Sequence, residues 1–189
     1  MNSHKPLLLV DIDGVISLFG GEQLASKDGS FHSIDGMFHF LSATAAAHLL
    51  DLGDQFELVW CSGWEEKANE HLPHLLGLPP ALPYLSFERA VGRSNAHWKL
   101  AAIDAFVGAR ALAWIDDALN EACHAWAAAR AAPTLLVETD PLHGLTSTEA
   151  EILRQWAGPL AHDGGTPNEG SDPARAQLPS SRHGQADRA

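Results

Sequence analysis

Leu7-Leu8-Leu9-Val10-Asp11-Ile12-Asp13-Gly14 is the stretch from which the rest of the chain is read. Four apolar residues in unbroken succession suit a strand covered on both faces, the kind found in parallel sheets. The run stops at a carboxylate. Asp13 follows two positions later, so in an extended segment the two carboxylates point to the same side. Gly14 allows a sharp turn with positive φ. Two carboxylates this close repel unless a cation or a shared proton lies between them. Asp-X-Asp-Gly is also ordinary turn chemistry, and taken alone the stretch fits a surface loop equally well. An EF-hand does not fit, because its fifth position would be Val15, an apolar residue where that loop places an oxygen ligand.

Downstream, short apolar runs recur at Phe56 to Cys61, Tyr84 to Phe87, Leu112 to Ile115 and Thr134 to Val137. Helical patterns separate them: from a cap at Ser42 to Leu52, from Trp64 to Leu76, from Trp98 to Val107, a stripe of Leu119, Ala122, Trp126 and Ala129, and a last helix from Ser147 to Trp156. Strands alternating with helices predict βαβ units. The expected architecture is a Rossmann-like three-layer α/β/α fold with a mostly parallel five-stranded sheet. In such sheets ligands bind outside the carboxyl ends of the strands. Three of the runs end in polar residues, at Asp11, Ser62 and Asp116.

Each of these has an ordinary explanation. Asp116 or Asp117 suits a helix N-cap, and so does Ser62. Lys99 suits a solvated surface. Taken together, the sheet gathers them into one crevice. The Ser62 hydroxyl, with the amides of Gly63 and Trp64 at a helix N-terminus, suits an anion. Asp11, Asp13, Asp116 and Asp117 suit Mg²⁺, a hard cation that binds one or two carboxylates plus phosphate oxygens. Lys99 suits the phosphate itself. Trp64 and Trp98 flank these positions as packing anchors or as stacking surfaces for a base or sugar. Cys61 and Cys123 have no metal-type spacing, and Cys61 reads as a small buried apolar residue.

The chain has 189 residues, of which 46% are apolar and 19% charged, enough to build a core without disulfides. With 24 acidic and 12 basic residues the net charge is −12, which disfavours broad binding of nucleic acid or an anionic membrane. The longest apolar run near the start, Leu7 to Val10, is too short for a signal or a span, so the expectation is a cytoplasmic protein without a membrane partner. Residues 158–189 are rich in Gly, Pro, Ser, Asp and Arg and predict a disordered tail, leaving a catalytic domain over 1–157.

In order and placement, Asp11-Ile12-Asp13-Gly14, Ser62, Lys99 and Asp116-Asp117 resemble the four motifs of the haloacid dehalogenase superfamily, in its aspartyl-phosphatase branch. The resemblance spans roughly residues 5 to 140. It implies a phosphoric monoester hydrolase in which Asp11 is the nucleophile that becomes an aspartyl-phosphate. Asp13 is implied as general acid and base. Asp11, the backbone carbonyl of Asp13 and Asp116 are implied as holding Mg²⁺, with Asp117 as a further ligand or behind them. Ser62, Gly63 and Lys99 are implied as binding the phosphoryl oxygens. Relatives that are dehalogenases lack an acid at the Asp13 position.

Relatives often carry a cap domain. Here the 28 residues from Gly14 to Leu41 suffice only for a flap hairpin, and the interval from Ser62 to Lys99 is consumed by one helix, one strand and loops. A capless site implies a large phosphorylated substrate or a partner acting as lid. Arg89 and Arg93 are the small basic candidates beside it. Phosphotransfer to an acceptor other than water, and a phosphate- or Mg²⁺-binding regulatory module without turnover, are the alternatives.

Overall fold

A computed structural model describes residues 5–87 and 95–162. The first apolar run forms β1 (Leu7–Val10), all four residues buried, as expected for a strand covered on both faces. It pairs in parallel with β5 (Glu57–Trp60) on one side and β6 (Leu112–Asp116) on the other. β6 pairs in parallel with β7 (Thr134–Glu138), completing a four-stranded sheet of order β5-β1-β6-β7.

Side chains of β1 alternate between two cores. Leu8 and Val10 enter one with Trp60, Ala113 and Ile115, and Leu7 and Leu9 enter the other with Val59, Cys61 and Trp114. Helices α1 (Ala43–Leu52), α2 (Lys67–Leu76) and α5 (Ser147–His162) cover the first core through Leu49, Leu72 and Leu153. Helices α3 (Leu100–Val107) and α4 (Glu121–Ala129) cover the second through Ile103 and Cys123. The chain is thus an α/β protein with a parallel sheet flanked by helices.

The sheet has four strands, not the five expected. The run at Tyr84 to Phe87 reduces to one isolated bridge, Tyr84 to Trp60. Pro79, Pro80 and Pro83 precede it, and a proline cannot donate to a ladder. The last helix also runs further than expected. It continues past Trp156 through Gly158 and Pro159, so the boundary expected at 157/158 lies inside α5. Ala150, Leu153 and Ala157 anchor it to the core, and that packing outweighs the poor helix propensity of the two residues beyond. Residues 163–189, the rest of the expected tail, lie outside the described residues, as do Arg89 and Arg93.

The expected flap hairpin over 15–41 is a small antiparallel sheet. β2 (Ser17–Leu18), a short 3-10 helix (Gly21–Ser26), β3 (Gly29–Ile34) and β4 (Met37–Ser42) follow one another, with sheet order β2-β4-β3. Asp35 and Gly36 form the two-residue hairpin turn with φ of 50° and 80°. Two positive φ values match the right-handed twist of the strands they join, which explains Asp-Gly at this place. β4 feeds directly into α1, where the Ser42 hydroxyl accepts from the Ala45 N–H at 3.1 Å. No helix among the described residues is long and apolar enough to cross a membrane.

Candidate functional site

Parallel register aligns the ends of three strands. Val10 stands opposite both Trp60 and Ile115, so Asp11, Ser62 and Asp116 emerge at one edge. The Asp11 N–H donates to the Ile115 carbonyl at 3.0 Å, and the Cys61 N–H to the Val10 carbonyl at 2.8 Å, which carries the pairing right up to the site. A cleft of about 440 Å³ opens there. Asp11, Asp13, Ser62, Gly63, Lys99, Asp116 and Asp117 all line it, so the structure brings together every site residue expected from sequence. Trp64 and Trp98 line it as well.

Lys99 sits at the centre. It ends a 3-10 helix (Ala96–Lys99) and is only 3% exposed. Its ammonium lies 3.0 Å from Asp11 Oδ2 and 2.6 Å from Asp116 Oδ2. Burial works against its charge, but the two carboxylates outweigh burial and hold the ammonium above its ordinary value. The Ala96 N–H donates to the Ala118 carbonyl at 2.9 Å, which ties the lysine's helix to the loop after β6. The surface position expected for a lone lysine is therefore replaced by a buried bridge.

Asp116 is fully buried. Its Oδ2 accepts from Lys99 and its Oδ1 from the Ala118 N–H at 3.0 Å. Burial, with the Asp11 charge, pushes its carboxyl above the usual range despite the lysine. Asp117 is half-buried beside it, and burial and Asp11 push it up to about 6. Asp11, Asp116 and Asp117 each place one oxygen within 4.8 Å of the others. Four carboxylates face this cleft against a single ammonium among the described residues. That imbalance opposes an anion unless a cation accompanies it.

Gly14 makes the cluster possible. Its φ is 74°, and a Cβ at this position would overlap the Asp117 carboxyl. Both facts require glycine. The Gly14 carbonyl accepts from the buried Thr139 hydroxyl at 2.9 Å, and the Thr139 N–H donates to the Asp116 carbonyl at 3.2 Å. The segment after β7 thus clasps both acidic loops.

Asp13 also lines this cleft. Trp64 Nε1 donates to its Oδ2 at 3.0 Å. Burial raises its carboxyl above the ordinary range; the Trp64 hydrogen bond pulls the other way without cancelling the effect. Ser62 is buried, with the Trp64 N–H 3.5 Å from its hydroxyl. One expectation here is corrected. Gly63 and Trp64 do not sit at a helix N-terminus, because α2 begins at Lys67. Residues 63–66 form successive turns in which Glu65 adopts φ of 48°. The Glu65 carboxylate is held away from the helix by accepting from the Phe87 N–H at 3.0 Å.

Trp98 packs edge-on against Phe87, and the Lys99 ammonium lies 5.6 Å from its ring centre. Cys61 is fully buried, and burial pushes its thiol far up, which suits an inert core residue. His39, Ser17 and Thr139 escape sequence reasoning. Asp35-Gly36 was the available signal for His39, because that hairpin pairs β3 with β4 and sets where His39 falls. Thr139 carries no local signal beyond being a polar residue at a strand end. A scan against protein-family models matches none to this chain, and a search of curated proteins finds no relative.

Proposed function

We propose that this chain is a Mg²⁺-dependent phosphatase of the haloacid dehalogenase type, working through Asp11. The observation that carries this is the convergence of three carboxylates from two neighbouring strand ends, two of them paired with one buried ammonium, with a fourth carboxylate hydrogen-bonded two residues beyond the first. Hard oxygen donors spaced this closely fit Mg²⁺. Asp11, Asp116 and Asp117 would hold it, together with the Asp13 carbonyl. When bound, it would neutralise the phosphoryl oxygens and draw substrate toward Asp11.

A carboxylate oxygen of Asp11 attacks phosphorus, and the bond from phosphorus to the leaving oxygen breaks. Asp13 gives that oxygen its proton. Asp13, now ionised, takes a proton from water as the water oxygen attacks phosphorus, which frees inorganic phosphate and restores Asp11. Lys99 offsets the negative charge of the cluster, and Ser62 with the Gly63 amide binds the transferring oxygens. A carboxyl raised above its ordinary range by burial, as that of Asp13 is, suits the role of proton donor. The antiparallel sheet of β2, β3 and β4 reaches the cleft through Met37, and no separate cap domain stands among the described residues, which supports a phosphoester on a larger molecule, or one held under a partner lid, as the substrate class.

Phosphate release from an aryl phosphate tests this, with Mg²⁺, with EDTA and with Asp11→Asn. Turnover lost in both EDTA and Asp11→Asn is the expected result. Turnover that survives Asp11→Asn in folded protein would sink the nucleophile assignment. Mg²⁺ binding with no turnover on any phosphorylated metabolite, peptide or oligonucleotide end would favour the regulatory module.

A further inference from the structure

We propose that Trp64, with the Ser17–His39 pair, clamps the Asp13 carboxyl and decides which of its two oxygens meets the leaving group. This rests on the phosphatase chemistry above and adds positioning residues to it. Asp13 lies outside the named strands, in an isolated bridge to Ser17, and its side chain is 42% exposed. A carboxyl so placed has several rotamers open to it. Two distant parts of the chain restrain it.

On one side, the Trp64 indole N–H holds Oδ2 at 3.0 Å. On the other, Oδ1 is buried and has no hydrogen-bond partner among the described residues. It faces His39, whose Nδ1 lies 3.8 Å away and 2.9 Å from Ser17 Oγ. Ser17 and His39 are both buried. The His39 and Trp64 rings pack edge to face with centroids 4.8 Å apart, so the two jaws brace each other. Burying polar side chains is costly unless they are partnered, and here they are spent around one carboxylate.

Because Oδ1 is shut in, Oδ2 is the oxygen that faces the cleft. It carries the proton that passes to the leaving oxygen as the phosphorus–oxygen bond breaks, and it takes a proton back from the attacking water. The charge left after the first transfer spreads over both oxygens, with the indole N–H at one and the Ser17–His39 dipoles at the other. Displacing a reacting group by about 1 Å costs on the order of 100-fold in rate, which is what the clamp prevents.

The test compares two substrates in each variant. An alkyl phosphate needs its leaving oxygen protonated; dinitrophenyl phosphate does not. Trp64→Phe keeps an aromatic ring beside His39 and removes the N–H together with part of the bicycle. It is expected to lower kcat on the alkyl phosphate by about 30-fold and on the dinitrophenyl ester by less than about threefold, within the roughly 100- to 10,000-fold a general acid contributes. His39→Leu is expected to shift the ratio the same way, and His39→Asn, which keeps a polar group near the Nδ1 position, to restore most of it. The ratio is internal to each preparation, so partly unfolded protein does not distort it. Equal loss on both substrates, or no loss on either, in Trp64→Phe would overturn the clamp. Asp13→Asn separates the two levels. If it spares the alkyl ester, or wild-type protein hydrolyses neither ester, the chemistry fails and the clamp with it. If Asp13→Asn splits the substrates and Trp64→Phe does not, the clamp alone fails.

Discussion

Replacing Lys99 with Met isolates the electrostatics of the site without needing a substrate. The two side chains are similar in length and volume, so packing against Trp98 is largely kept. What disappears is an ammonium 3% exposed, 3.0 Å from Asp11 and 2.6 Å from Asp116. At an effective dielectric of about 20 those separations correspond to roughly 5.5 and 6.4 kcal/mol of gross attraction. Most of that is offset by the desolvation of three ions. The net cost of leaving buried charge unpaired is about 3–5 kcal/mol. At roughly 2–4 °C per kcal/mol for a domain of this size, metal-free Lys99→Met should melt about 10 °C below wild type at pH 7.5. The cost has an escape, because a buried carboxylate can take a proton. Each pH unit makes that easier by about 1.4 kcal/mol, so at pH 5 most of the gap should close. Mg²⁺ should close it at pH 7.5 by supplying the missing positive charge. Differential scanning calorimetry of both proteins at the two pH values, with and without Mg²⁺, checks this. A gap below about 2 °C at pH 7.5, or the same gap at pH 5, would refute the bridge as the site's charge balance.

Metal-free wild type should itself gain stability as pH falls from 7.5 toward 5. Asp117 titrates at about 6 in the fold against 3.8 for its ordinary value, so the folded state binds more protons than the unfolded across that window. Asp35 and Asp140, held below the ordinary range at the surface, titrate under it and do not interfere. A Tm that falls between pH 7.5 and 5 without metal would contradict this. Gly14→Ala should cost about 1–3 kcal/mol through its positive φ and should weaken Mg²⁺ binding, read by titration calorimetry, because the new methyl displaces the Asp117 carboxyl. Ser42→Ala should cost about 1 kcal/mol in urea unfolding with no change in Mg²⁺ affinity, since it removes only the cap of α1.

The unbroken apolar runs and their polar ends were legible from local chemistry. A strand buried on both faces cannot alternate, and β1, β5 and β6 do not. Helix ends were less legible. The cap of α5 is at Thr146, with the Glu149 carboxylate accepting from the Thr146 N–H at 2.9 Å. Thr146-Ser147-Thr148-Glu149 has the strict capping-box spacing that such a cap needs. The start of α2 was not legible at all, because Glu65 is pulled out of helical geometry by a bond to Phe87, 22 residues away. Phe106 is 42% exposed, since α3 turns Ile103 and Val107 to the core.

For this chain, sequence alone determined which residues end the strands and which of them carry charge, because those features depend on neighbours along the backbone. It determined Asp11, Asp13, Ser62, Lys99, Asp116 and Asp117 as candidates, but not what each one touches. Lys99 read equally well as a solvated side chain, and only packing of its 3-10 helix against the loop after β6 buried it between two carboxylates. The partners of Asp13 are a tryptophan 51 residues away and a histidine from the antiparallel sheet, brought beside it by sheet register and a hairpin. Contacts of that kind are set by how elements stack, and one chain's local pattern contains no record of them.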